Sequence, residues 1–222
     1  MNFTLALENA FEANQNPENA FAMAKYMKNN FPFFGIKTEE RRRIFKEIWK
    51  EKSEEVSANA MEIVSELYSK TEREFHYCAI KILKKEGTGN YKKEDIQLIE
   101  KLLIKNSWWD SVDTIANYIL GQYLTEFPLD TKKVIERFST AENIWLNRSV
   151  ILFQLGYKQK TNADFLFSEC LKHLHSKEFF IQKAIGWALR EYAKTNPEAV
   201  VEFVKFNDLK KLSTKEALKN MC

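Results

Sequence analysis

Apolar residues in this chain recur at spacings of three and four, the period of a helix with one buried face. Ser176–Lys194 shows it most plainly. Ile181, Ala184, Ile185, Ala188, Leu189 and Tyr192 make its apolar side, and Lys183, Trp187, Arg190 and Lys194 lie opposite. Ser107–Tyr123 is a second such helix, opening with Ser107-Trp108-Trp109-Asp110. Helix starts punctuate the rest. Asn16-Pro17 and Asn196-Pro197 pair an N-cap side chain with proline at the first helical position. Thr71 with Glu74, Ser107 with Asp110, Thr161 with Asp164 and Ser213 with Glu216 have the spacing of capping boxes or their acidic variants. About a dozen helices joined by short links are predicted between these signals. Gly87–Asn90 is the loop of highest glycine content, and no linker divides the chain, so residues 1–222 are expected to form one domain.

A weak repeat runs through these helices. An aromatic, three residues, then a small and an aliphatic residue occur as Phe75-Ala79-Ile80, Trp145-Ser149-Val150 and Phe180-Ala184-Ile185. The offsets are 70 and 35, and the intermediate member falls at Asp110-Thr114-Ile115, where only the aromatic is missing. A period of this length with two helices per unit predicts a right-handed α-solenoid. Six glycines and four prolines in 222 residues leave few places to reverse strands, which strengthens the all-α expectation. Asp113, Arg148 and Lys183 are 35 apart and should form a row of a carboxylate and two cations on one surface.

Composition narrows the function classes. The net charge of +3 neither demands nor excludes nucleic acid, so the arrangement of charge must decide. No apolar run approaches a membrane span, and the first residues lack a signal-peptide layout. Cys78, Cys170 and Cys222 match no metal pattern and read as reduced thiols of a cytoplasmic protein; His76, His173 and His175 are too scattered for a zinc site. No cofactor is implied.

Three residues depart from an ordinary helical surface. Trp187 sits among Lys183, Arg190 and Lys194, the cation–aromatic mixture of a nucleic-acid surface, although a lone indole packed on a neighbouring helix gives the same pattern. Arg148 falls within the apolar stripe Ile144, Trp145, Ile151, Leu152 and Leu155. It needs a partner, either a carboxylate from another helix or a phosphate in a groove. Asp113 shares a face with Trp109 on an apolar margin, a plausible catalytic pair or an exposed acid near a helix start.

At these residues the chain resembles the AlkD family of DNA glycosylases, built from HEAT-like helical repeats. The resemblance covers nearly the whole chain. It rests on Tyr26-Met27-Lys28-Asn29 with Phe34-Gly35-Ile36, Ser107-Trp108-Trp109-Asp110-Ser111-Val112-Asp113, Trp145-Leu146-Asn147-Arg148, and Lys177 through Lys183, Trp187 and Arg190 to Asn196-Pro197. The resemblance implies catalytic roles for Asp113, Trp109 and Trp187, and DNA contacts from Tyr26, Arg148 and Arg190. Lys183 and Lys194 join the basic surface by their place in the stripe. It implies hydrolysis of the N-glycosidic bond of cationic N3- and N7-alkylpurines in double-stranded DNA by a monomer, without a base-flipping pocket. The N-terminal helix that one related group lacks is retained at Asn16–Asn30. The chain stops at Met221-Cys222, where the family is expected to continue, which would remove a terminal contact. The other readings are a non-catalytic solenoid binding unusual DNA structures and a protein-interaction scaffold.

Overall fold

The computed structural model describes residues 1–219, and the expectation about Met221-Cys222 lies outside them. The described residues contain helices and turns and no strand. The fold is all-α, with helical pairs stacked as in an α-solenoid of repeats. The helices group into two compact units, one from Met1 to Asn90 and one from Tyr91 onward, so the chain divides at the end of the predicted Gly87–Asn90 loop.

In the first unit, α1 (Phe3–Ala13), α2 (Pro17–Tyr26), α3 (Thr38–Glu51), α4 (Ser53–Ala58), α5 (Ala60–Leu67) and α6 (Arg73–Gly87) follow in order. Phe3, Leu7 and Phe11 of α1 are fully buried with Phe75 of α6. A buried carboxylate organises the loop between α2 and α3. Glu74 accepts the N–H groups of Phe34, Gly35 and Ile36 at 3.2, 3.0 and 3.2 Å. Burial raises its carboxyl above the ordinary value, and these backbone donors draw it back in part. Gly35 is required there: its φ is +85°, and a Cβ would come within 2.1 Å of the Asn16 carbonyl oxygen.

The second unit holds α7 (Asp95–Ile104), α8 (Trp109–Thr114), a π-helical stretch (Ile115–Leu120), α9 (Gly121–Glu126), α10 (Thr131–Ser139), α11 (Ile144–Leu152), α12 (Ala163–Lys172), α13 (Phe179–Ala193), α14 (Pro197–Phe206) and α15 (Lys211–Ala217). The predicted Ser107–Tyr123 helix thus starts at Trp109 and changes its winding after Thr114, the residue that follows Asp113. A π stretch re-aims the side chains on either side of it and is common at functional sites. The 35-residue period appears as contacts between residues about one period apart. Asp113 bonds Arg148, the Tyr91 N–H meets Glu126, and Ser139 meets His173, across 35, 35 and 34 residues. The small residues of the pattern, Ala79, Ser149 and Ala184, are all fully buried, as close helix packing requires.

The asparagine caps form as expected. Asn16 accepts from Asn19 N–H at 2.9 Å and Asn196 from Ala199 N–H at 3.1 Å. The four capping boxes do not. Glu74 serves the Phe34–Ile36 loop, Ser107 donates to the Leu103 carbonyl, Asn162 caps α12 in place of Thr161, and Ser213 lies inside α15, donating to the Gln182 carbonyl. Box spacing describes a local option, and at Glu74 and Ser213 contacts to other elements replaced it.

Candidate functional site

Asp113 lies near the end of α8, and its partner comes from α11. Arg148 Nε donates to Asp113 Oδ1 at 2.7 Å and Nη2 to Oδ2 at 2.8 Å, a two-pronged charge-assisted pair. Its remaining Nη1 donates to the Phe180 carbonyl at the start of α13. Arg148 is 4% exposed and the Asp113 side chain 12%, so both charges are largely out of water. Burial pushes the Asp113 carboxyl above its ordinary value, while Arg148's hydrogen bonds and charge pull it back in part.

The question left open by the sequence is settled for Arg148: its partner is a carboxylate from another helix. All three of its nitrogens donate to protein oxygens, and Nη1 and Nη2 each keep one further N–H for another acceptor. Beside the pair stands an aromatic wall. Trp145 and Phe180 have ring centres 5.0 Å apart, and Trp108 lies 5.8 and 5.2 Å from them. Arg148's guanidinium is 5.9 Å from the Phe180 ring. Each Asp113 oxygen has a further lone pair for another donor, such as a water.

Trp109 sits one turn before Asp113 on α8, half-buried. Trp187, half-buried on α13, packs against the core of the second unit. It shares a face with Phe180, Lys183 and Arg190 by spacings of seven, four and three. Lys183 and Arg190 are not bare cations. Glu216 of α15 accepts from Lys183 Nζ at 2.8 Å and from Arg190 Nη1 at 2.6 Å. Hydrogen bonds from these two hold its carboxyl down to about 2. Lys194 pairs instead with Glu191 at 2.6 Å and borders a recess of about 310 Å³ with Gln154, Lys158 and Thr195. Tyr26 is exposed at the end of α2 in the first unit.

Two features were missed by the sequence reading. One is Glu216, read there as part of a cap. The other is a recess of about 450 Å³ in the first unit, where Arg42, Lys46, Lys50, Lys81 and Lys85 surround Phe45 and Trp49. Lys85 Nζ lies 4.3 Å from the centre of the Trp49 ring. The four-residue steps among Arg42, Lys46 and Lys50, and between Lys81 and Lys85, were the available signal for cations on one helical face. The buried thiols take no part: burial pushes Cys78 up to about 12 and raises Cys170 further. No helix among the described residues is long and apolar enough to cross a membrane.

No curated protein matches the chain. A solved structure described as a predicted DNA alkylation repair enzyme from Enterococcus faecalis is 34% identical, with a TM-score of 0.84. The match covers 94% of this chain and 97% of that one. A model of the DNA alkylation repair enzyme family matches residues 7–221. With almost every residue inside that match, the Asp113–Arg148 pair included, the chain belongs to the DNA alkylation repair enzyme family.

Proposed function

We propose that this chain is a DNA glycosylase of the AlkD type, which hydrolyses the N-glycosidic bond of cationic N3- and N7-alkylpurines in duplex DNA. The observation that carries the reading is Asp113, a desolvated carboxylate clamped by Arg148 one turn from Trp109. Alkylation leaves a positive charge on the purine. When the bond from the sugar carbon to the purine nitrogen breaks, its electron pair leaves with the base and cancels that charge. The sugar becomes oxocarbenium-like. Asp113 stabilises the new positive charge where it develops and orients the water. That water bonds to the sugar carbon and releases a proton, giving an abasic site and a neutral purine. The indoles of Trp109 and Trp187 attract the sugar more strongly as it becomes cationic. Arg148 keeps Asp113 aligned, and Lys183 and Arg190 hold phosphates without reading sequence. Chemistry directed at the sugar needs no base-flipping pocket.

A second reading has one observation in its favour: both Asp113 oxygens are engaged by Arg148, as in a purely structural pair of a duplex-binding protein. Asp113→Asn separates the two. Single-turnover excision of N7-methylguanine from duplex DNA should fall by about a hundredfold or more, the scale seen when one charge-stabilising group is lost. Duplex affinity should hold or tighten slightly. Unchanged excision would remove Asp113 from the chemistry, and no excision by the unmodified chain would favour the binding protein.

A further inference from the structure

We propose that Glu216 is a positioning residue of the DNA surface, holding Lys183 and Arg190 in place and cancelling one of their two charges, so that duplex DNA, damaged or not, is held less tightly. The inference rests on the DNA-glycosylase reading above. Lys183 and Arg190 are seven residues apart on α13, about 10 Å along the helix axis. Left alone, two cations on one face repel and their long side chains wander. Glu216 spans the interval with one oxygen on each cation, and Arg190 Nη1 also donates to the Glu216 main-chain oxygen at 3.1 Å.

The exposures order the three groups. The Glu216 side chain is 13% exposed, Arg190 21% and Lys183 37%. The carboxylate is the least exposed of the three, and both cations keep surface open to solvent. Its place is fixed by main chain. A Cβ at Gly186 would come 2.4 Å from Glu216 Cβ and 2.8 Å from the Ser213 carbonyl oxygen, so α15 seats on α13 only across a glycine. Ser213 Oγ adds a hydrogen bond to the Gln182 carbonyl at 3.0 Å. An acid fixed this way acts on the cations at all times, whichever DNA approaches.

Non-specific affinity for DNA is almost entirely electrostatic. Replacing two charges by a net one withholds up to one phosphate's worth of attraction from every duplex, damaged or not. The loss is the same for every duplex, so it sets how tightly DNA is held and leaves the chemistry at Asp113 unchanged.

The test uses the full chain and an undamaged duplex, with binding measured from 0.1 to 0.5 M salt. Glu216→Gln should tighten binding by up to about eightfold at 0.1 M and about twofold at 0.5 M, the arithmetic of one added phosphate contact. The slope of log affinity against log salt should steepen by up to about one. Glu216→Met, which keeps the stem over Gly186, should do the same and covers the case in which the amide variant folds poorly. In a Lys183→Gln/Arg190→Gln background, Glu216→Gln should have no effect. An unchanged or weaker affinity in both single variants overturns the proposal. Equal tightening in the background lacking the cations does so too, since the acid would then act as a diffuse charge. An unmodified chain that shows no salt-dependent duplex binding sinks the DNA reading itself; normal binding with inert Glu216 variants sinks only this inference.

Discussion

Replacing Arg148 by Met keeps an apolar stem of similar reach and removes the fork that holds Asp113. Two consequences can be sized from the structure. With Arg148 4% exposed and the Asp113 side chain 12%, the pair belongs to the buried regime and not to the surface one. Removing one partner of a buried pair costs about 3–5 kcal/mol, because the remaining charge stays out of water without compensation. For a domain of this size that is a fall in Tm of about 6–20 °C. The Phe180 carbonyl also loses the Arg148 donor. The second consequence concerns protonation. Burial already raises the Asp113 carboxyl, and Arg148 is what draws it back. Without Arg148 the carboxyl rises further, so the folded chain holds a proton that the unfolded chain has released. The stability deficit is then largest at high pH and shrinks as pH falls through the raised value. Excision, which needs the ionised form, should lose its acid limb at a higher pH than in the unmodified chain. Thermal unfolding and single-turnover excision across pH 4–8 measure both. A variant within about 0.5 kcal/mol of the parent, the range of an ordinary surface change, would refute the buried-pair argument. An unmoved acid limb would refute the claim that Asp113 acts through its charge.

Other consequences follow from the same geometry. Glu74→Gln places an amide N–H against the Phe34 N–H and should cost about 1–3 kcal/mol in denaturant unfolding; a neutral result would mean the loop is held by other contacts. Gly186→Ala drives a methyl group into Glu216 and the Ser213 carbonyl; overpacking of about 1–3 kcal/mol should appear as faster hydrogen exchange in α15. Burial lowers the affinity of His173 for a proton. Its stabilising effect is therefore present above its ordinary value of 6.5 and lost as pH falls below it, a dependence that His173→Gln should flatten. In the first unit, Lys46→Gln and Lys81→Gln in the cationic recess should each reduce the salt slope of duplex binding by about one if phosphates rest there.

Much of this protein is local and was therefore legible in the chain. The three- and four-residue period makes helices wherever one face must be buried, and the asparagine caps mark α2 and α14 because an Asn side chain reaches its own N3 amide without help from elsewhere. The 35-residue period placed Asp113 and Arg148 at equivalent positions, and stacking of successive repeats brings such positions into contact. Which partner a polar side chain takes is another matter. Arg148 could have faced a phosphate or a carboxylate, and only the packing of α8, α11 and α13 gives it Asp113 and the Phe180 carbonyl. Glu74 and Ser213 carry the spacing of caps, yet a burial site and a neighbouring helix claimed them. Glu216 looked like a cap residue from the chain and is the counter-charge of Lys183 and Arg190, 33 and 26 residues away. The π stretch after Asp113 left no mark in the pattern either, because one widened turn barely alters apolar spacing while it redirects every side chain that follows. Sequence determined which faces are buried, through short-range backbone geometry. The tertiary structure alone decided how the charges pair, since charges separated by dozens of residues meet only once the helices that carry them have docked.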